Sequence, residues 1–230
     1  TLTRVILSGG EPTLHPDFAT ILHNLEVRNL AFVIFSNGRW LNPDNLVMLI
    51  GNLSHFQGFL ISLHGSNPFS HDAFTGIKGS FDETLKNIRK AVKAGLSISL
   101  STVITKQNLE ELKEIALLAI ELGVEELTFN RYLSTPDRIG QHNVSIQSPA
   151  PFQLQNAIRL IENLQQEYKG KIVIGYGPTI PQCFERSTSQ GCSAGEASLV
   201  IDPWGNVKPC LHTDLLCGNI LESDFETILN

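Results

Sequence analysis

Five consecutive residues, Ser8-Gly9-Gly10-Glu11-Pro12, close an apolar run (Val5-Ile6-Leu7) and lead into a helical pattern. The two glycines let the backbone approach a ligand with no Cβ in the way, and Glu11 adds an acceptor-only carboxylate suited to an ammonium or a ribose hydroxyl. Glycine and proline also punctuate chains, so a plain strand-to-helix turn is the competing reading. Ser62 and His64 form a second candidate. Two apart on an apolar run, they point the same way and offer a hydroxyl and an imidazole together, as a ribose requires. Four cysteines, Cys183, Cys192, Cys210 and Cys217, lie in the last quarter with 8, 17 and 6 residues between successive members. The two-residue gaps of zinc knuckles are missing, and such intervals suit thiolates gathered around an iron–sulfur cluster; a zinc staple or four unrelated buried thiols are the alternatives.

These residues need elements to position them. Short apolar runs at Arg4 to Ser8, Ala31 to Ser36, Gly58 to His64, Ser97 to Ile104 and Glu126 to Arg131 alternate with stretches of helical period. Helix starts are marked by Asn42 before Pro43, and by the capping-box pairs Ser80 with Glu83 and Asn108 with Glu111. Strand followed by helix, repeated, predicts parallel strands in one sheet or barrel. The C-terminal strand ends of such a barrel converge on one mouth. Here they carry Glu11, Ser36-Asn37-Gly38, Ser62 with His64, Thr105 to Asn108, and Asn130 with Arg131. Each has a plainer reading: a strand-to-helix turn for Ser36 to Gly38, a helix cap for Asn108, a strand-end histidine for His64. His71-Asp72 has the look of a metal phosphohydrolase pair, but no second histidine–aspartate spacing supports it, and surface polarity is the expectation.

With 230 residues, 42% hydrophobic and 17% charged, the chain can bury a sizeable core. A formal net charge of −6 with no basic stripe argues against nucleic-acid binding, and a small molecule or peptide fits better. No long apolar stretch or signal-peptide pattern occurs, so no membrane partner and a cytoplasmic location are expected. A polar, glycine- and proline-containing loop from Ser134 to Pro151 precedes a helix over Phe152 to Lys169. The predicted organisation is a partial barrel over 1–150, a connecting helix and linker over 151–180, and a cysteine-bearing module over 181–230. That module contains one clear hairpin, Ala197 to Ile201, a turn at Asp202-Pro203-Trp204-Gly205, then Asn206 to Lys208. It is too small to own a core, and a metal staple is the usual remedy.

Two distant stretches together resemble radical SAM enzymes that carry a C-terminal SPASM or twitch auxiliary-cluster domain. Ser8 to Pro12 is similar to the family's second-strand GGEP motif, which binds the amino group of the S-adenosylmethionine methionine moiety. Ser62-Leu63-His64-Gly65 through His71-Asp72, Thr75-Gly76 and Lys78-Gly79-Ser80-Phe81 is similar to the fourth strand and its loop, which places Ser62 and His64 at the ribose. Ser36-Asn37-Gly38 resembles the third-strand polar turn, and Asn108 the fifth-strand site near the cofactor carboxylate. Cys192-Ser193-Ala194-Gly195, Ile201-Asp202-Pro203, Gly205-Asn206-Val207, Pro209-Cys210 and Gly218-Asn219-Ile220 resemble the start of the auxiliary domain, with twelve residues between Cys192 and Gly205 and four between Gly205 and Cys210.

The resemblance implies an α/β fold: a partial (βα)6 TIM-like barrel lacking its first strand and helix, then a small SPASM/twitch β-hairpin module. It marks Gly9, Gly10, Glu11, Pro12, Ser36, Asn37, Ser62, His64, Asn108 and Arg131 as cofactor-binding, and Cys183, Cys192, Cys210 and Cys217 as metal-binding, with no catalytic residue assigned. Implied cofactors are S-adenosylmethionine, a radical-generating 4Fe-4S cluster whose Cys-x3-Cys-x2-Cys ligands are not in this chain, and an auxiliary 4Fe-4S cluster. Truncation is the expected reason for the missing triad, and the chain alone is then expected to be inactive. The implied reaction is cleavage to methionine and a 5′-deoxyadenosyl radical that modifies a peptide or protein side chain, with an electron donor such as flavodoxin or ferredoxin. A tetrapyrrole-modifying or sulfatase-maturing enzyme is the runner-up, and a non-catalytic cluster- or peptide-binding barrel the alternative of another class.

Overall fold

The computed structural model describes residues 2–132, 147–177 and 194–229. These fall into two compact units, one ending at Gly177 and one made of the residues beyond it.

In the first unit six strands, β1 (Arg4–Leu7), β2 (Ala31–Ser36), β3 (Phe56–Ser62), β4 (Ile98–Ile104), β5 (Glu126–Arg131) and β6 (Val173–Tyr176), form one sheet in chain order. Every neighbouring pair is parallel. The connections carry helices α1 (Phe18–Val27), α2 (Pro43–Ile50), α3 (Pro68–Thr75), α4 (Ser80–Lys93), α5 (Leu112–Leu122) and α6 (Pro151–Glu167). Connections between parallel strands are right-handed as a rule, and with the strands in sequential order that rule puts the helices on one face and leaves the other as the inside of an open barrel.

Side-chain alternation records those two faces. Phe32 and Ile34 on β2, Phe59 and Ile61 on β3, Leu100 and Ile104 on β4, and Leu127 and Phe129 on β5 are at most 1% exposed. Their neighbours on the inner face, such as Val33, Leu60, Ser101 and Thr128, are half-buried. Each fully buried side chain contributes about 2 kcal/mol of transfer free energy, so the helix-covered face carries most of the unit's stability. Helix α4 shows how a sequence pattern makes that face: Phe81, Leu85, Ile88 and Ala91 are buried, while Asp82 and Glu83 at its start and Lys90 and Lys93 at its end oppose the helix dipole.

Several sequence expectations change. Strand β3 ends at Ser62, so His64 stands beyond the regular strand. The short run Val173–Tyr176, hidden from the sequence reading among glycines, adds a sixth strand by pairing with β5. Asn42 does cap α2, accepting from the Asn45 N–H. Ser80 is not a cap: Gly79 holds that position, and the Asp72 carboxylate of α3 takes the Gly79 and Phe81 N–H groups and the Ser80 hydroxyl. His71-Asp72 is therefore no surface pair, since His71 is buried and Asp72 joins two helices.

In the second unit β7 (Val200–Ile201), β8 (Asn206–Lys208) and β9 (Gly218–Asn219) form an antiparallel sheet, followed by α7 (Phe225–Leu229). The Asp202 side chain makes the predicted turn by accepting from the Trp204 and Asn206 N–H groups. Val207 is the one buried hydrophobic residue among those described in this unit. So small a core leaves a need for another source of stability.

Candidate functional site

The mouth of the open barrel is built from polar ties between adjacent strand ends. Glu11 follows β1, and its carboxylate takes the Ser36 hydroxyl at 3.0 Å and the Asn37 N–H at 2.8 Å from the end of β2. Locally it also takes the Thr13 hydroxyl at 2.7 Å and the Thr13 N–H at 3.2 Å. Ser36, buried, accepts in turn from Gly38 N–H and Trp40 Nε1–H. Glu11 and Ser36 thus spend their hydrogen-bonding capacity on each other and on the loop. What this leaves open is the backbone beside them: Gly9 and Gly10 are exposed, Cβ atoms built there would meet nothing within 4 Å, and neither carbonyl accepts a backbone hydrogen bond among the described residues. Gly9 has φ of +137°, a conformation reserved for glycine, so the open stretch is specified by sequence. Pro12 opens a short 3-10 turn just behind.

Gly38 completes the second strand end. Its φ is +74°, and a Cβ there would come within 2.9 Å of Ile61 and Thr84. The loop can therefore lie flat against β3 and α4, where Thr84 Oγ1 donates to the Asn37 carbonyl and Asn87 Nδ2 to that of Gly38. The Asn37 side chain remains at the exposed surface, accepting from Arg39 N–H.

Ser62 and His64 are separated by the end of β3. Ser62 stays half-buried on the inner face, and its hydroxyl has no protein partner among the described residues. His64 is buried; its Nδ1 accepts from the Val103 N–H at 3.2 Å, and its ring lies against Phe74 and His71. Accepting at Nδ1 places the ring proton on Nε2. His71 Nδ1 likewise accepts from the His64 N–H at 3.0 Å. Burial, with His71 adding a smaller repulsion, lowers the His64 pKa to about 3. Burial also lowers His71 to about 4, against the opposing pull of Asp72. Two neutral imidazoles therefore support the β3 end.

Asn108 ties β3 to β4. Its Oδ1 takes the Thr105 N–H at 2.8 Å, and its Nδ2 donates to the His64 carbonyl at 2.9 Å and the Val103 carbonyl at 2.8 Å. It makes no side-chain cap on the helical turn it precedes, and Glu111 makes no capping box with it. Glu111 instead gathers the Ser66 N–H and hydroxyl, the Asn67 amide and the Ser70 hydroxyl of the β3–α3 connection. Sequence reasoning missed this role because a local capping pattern explained the same residue. Arg131 ends β5, half-buried and in register with Ile104.

In the second unit Cys210 follows β8 and Cys217 immediately precedes β9, so antiparallel pairing brings the two chain segments to one end of the sheet. Cys217 N–H donates to the Val207 carbonyl, and both thiols are free of disulfides. Cys183 and Cys192 lie outside the described residues. Among the described residues no three His, Cys, Asp or Glu side chains converge as a metal site.

Chemically, the mouth offers free backbone acceptors, an inner-face hydroxyl and an exposed amide on rigidly tied strand ends. This set fits an amino-acid-nucleoside cofactor with one ammonium, one carboxylate and a ribose. The two soft thiolate donors of the hairpin fit part of an iron–sulfur ligand set.

Comparison with known proteins agrees with this reading. Residues 2–119 match the radical SAM superfamily, and residues 192–230 match SPASM, an iron–sulfur cluster-binding domain. The chain belongs to the radical SAM superfamily and carries a SPASM domain. It is 27% identical to an AdoMet-dependent heme synthase of Methanosarcina barkeri, over 97% of this chain and 67% of that protein. It is also 27% identical to the antilisterial bacteriocin subtilosin biosynthesis protein AlbA of Bacillus subtilis, over 97% of this chain and 48% of that protein. In fold it is similar to SuiB of Streptococcus suis, with a TM-score of 0.81 at 17% identity over 98% of this chain and 55% of SuiB. SuiB bound to its precursor peptide SuiA gives 0.78 at 18% identity, over 98% of this chain and 53% of SuiB. The chain thus spans about half to two thirds of the length of these relatives. No helix among the described residues is long and apolar enough to cross a membrane.

Proposed function

We propose that the complete protein is a radical S-adenosylmethionine enzyme that modifies a side chain of a peptide or protein. The observation that carries this is the presence of an open Gly9-Gly10 strand end in a radical SAM sheet and of a SPASM module in one chain that is 27% identical to the bacteriocin biosynthesis protein AlbA. The peptide-bound SuiB structure adds support for a peptide as substrate. S-adenosylmethionine, when bound at a reduced 4Fe-4S cluster, supplies a primary carbon radical able to abstract hydrogen from an unactivated position.

This chain's residues divide the work. The carbonyls of Gly9 and Gly10 would accept from the cofactor ammonium, Ser62 would meet the ribose, and Asn37 and Arg131 would lie at the rim. Glu11, Pro12, Ser36, His64 and Asn108 would act through the backbone they hold, keeping the ends of β1 to β4 at fixed positions and so pre-orienting the cofactor. Cys210 and Cys217, with Cys183 and Cys192, would hold the auxiliary cluster. A one-electron donor such as flavodoxin or ferredoxin would complete the system.

The test is anaerobic incubation of the full-length, cluster-loaded protein with dithionite, S-adenosylmethionine and a precursor peptide, followed by mass spectrometry. The expected result is 5′-deoxyadenosine with a mass change on the peptide. The heme synthase relative makes a tetrapyrrole the second reading. A tetrapyrrole consumed while peptides remain untouched would establish that reading instead, and no 5′-deoxyadenosine with any substrate would overturn both.

A further inference from the structure

The inner face of the sheet is chemically split. Toward β1 and β2 it is apolar, with Ile6, Val33 and Phe35; on β4 and β5 it carries Ser99, Ser101, Glu126, Thr128 and Asn130. The register lines these up: Ser62 pairs with Ser101 and Ser101 with Thr128, while Ser99 pairs with Glu126. Two hydrogen bonds verify that they share a face, Thr128 Oγ1 to Glu126 Oε1 at 3.1 Å and Asn130 Nδ2 to Ser101 Oγ at 3.0 Å.

Among the described residues, open space lies beside this polar wall. Gly175 continues the row from Thr128 onto β6, and a Cβ built there would meet nothing within 4 Å. Gly177, by contrast, is filled from the side, because a Cβ there would collide with Asn130 Oδ1. Glu126 is the one carboxylate on the inner face of the described strands, half-buried and held by a single hydroxyl. Most of its acceptor capacity is therefore unused among the described residues, with Ser99 on β4 and Val173 on β6 beside it in register. The Ser99 hydroxyl beside it has no protein partner among the described residues. The other charged residue of these inner strand positions, Arg4, lies across the sheet on β1 and is exposed.

A half-buried carboxylate flanked by hydroxyls prefers a ligand that brings donors and positive charge, and it repels an acidic one. We propose that Glu126, with Ser99 and Thr128, is a specificity-determining subsite that takes a basic, lysine-type side chain of the substrate. This rests on the peptide reading of the function. The apolar wall of Val33 and Phe35 would face the less polar part of the same segment.

The experiment uses the full-length protein and three small probes, the N-acetyl methylamides of lysine, norleucine and glutamate, compared by saturation-transfer difference NMR. The wild type should bind the lysine probe at least about fivefold more tightly than the norleucine probe, with the glutamate probe weakest. Glu126→Gln should abolish that preference, and Glu126→Asp should keep part of it. Equal binding of lysine and norleucine probes by the wild type overturns the proposal without any variant, as does a preference that survives in Glu126→Gln. Failure of peptide turnover is scored separately: lysine preference lost in Glu126→Gln would uphold the subsite even where the turnover assay had overturned the peptide reading.

Discussion

Glu11 and Ser36 meet side chain to side chain at 3.0 Å across 25 residues of sequence, and that contact joins the ends of β1 and β2. It makes the carboxylate of the GGEP run an internal strut, so the exposed glycine backbone beside it is the surface a ligand meets. Glu11→Gln replaces an acceptor by a donor facing the Ser36 hydroxyl and the Asn37 N–H. The expected outcome is a loss of about 1–3 kcal/mol in urea unfolding, with weaker S-adenosylmethionine binding by equilibrium dialysis. An unfolding midpoint equal to that of the wild type would contradict the strut.

Asn108 gives a sharper contrast between substitutions. Asn108→Ala leaves the buried Thr105 N–H and two carbonyls without this partner, a cost of about 2–4 kcal/mol. Asn108→Asp keeps the size but aims a carboxylate oxygen at the His64 and Val103 carbonyls, so it should be at least as destabilising. Chemical denaturation of both variants checks the order, and an aspartate variant as stable as wild type would refute the assignment.

The buried imidazoles predict acid sensitivity with a definite sign. Folded His64 and His71 have pKa values of about 3 and about 4, both below the ordinary value of 6.5. The unfolded state therefore binds more protons once pH falls below about 6.5, and stability declines from there until the folded-state values are reached. At pH 5 each histidine should have cost about 2 kcal/mol relative to pH 8. Urea titrations at the two pH values measure this. His71→Asn should flatten part of the dependence, and an unchanged slope would count against the buried neutral pair.

Gly38→Ala must place a Cβ 2.9 Å from both Ile61 and Thr84 while holding a positive φ. A lowered melting temperature corresponding to at least about 2 kcal/mol is expected. Gly175→Ala, with nothing in the way of its Cβ, is the matched control and should shift stability far less.

Cys210→Ser and Cys217→Ser address the thiols at the shared end of β8 and β9. After anaerobic reconstitution of the full-length protein, Cys210→Ser should lose iron and sulfide equivalent to the auxiliary cluster. Cys217→Ser does the same if Cys217 is a ligand. Unchanged iron and sulfide in both variants would exclude this end of the hairpin as a cluster site.

The repeated alternation of apolar strand and capped helix was enough to read the parallel sheet, because each period reports which face is buried. The hairpin around Asp202 and Gly205 was equally legible, since its turn chemistry is local. Side-chain destinations were not. His64 follows Ser62 by two positions, yet β3 stops between them, and the ring turns to the Val103 N–H on a neighbouring strand. Glu111 suited a local cap, but donors from a loop 45 residues earlier outcompete it. Strand β6 escaped notice because four residues carry too little periodicity, and only pairing with β5 defines them.

The ties at the mouth also bear on how the chain acquires its shape. Glu11 to Ser36, Asn108 to His64 and Glu111 to Ser66 each span two or three successive elements, 25, 44 and 45 residues apart. None waits for a distant segment. Short loop closures of this kind cost little entropy and favour rapid folding. The sheet can therefore form in pairs, β1 with β2 and β3 with β4, each fastened at its end without waiting for a later strand.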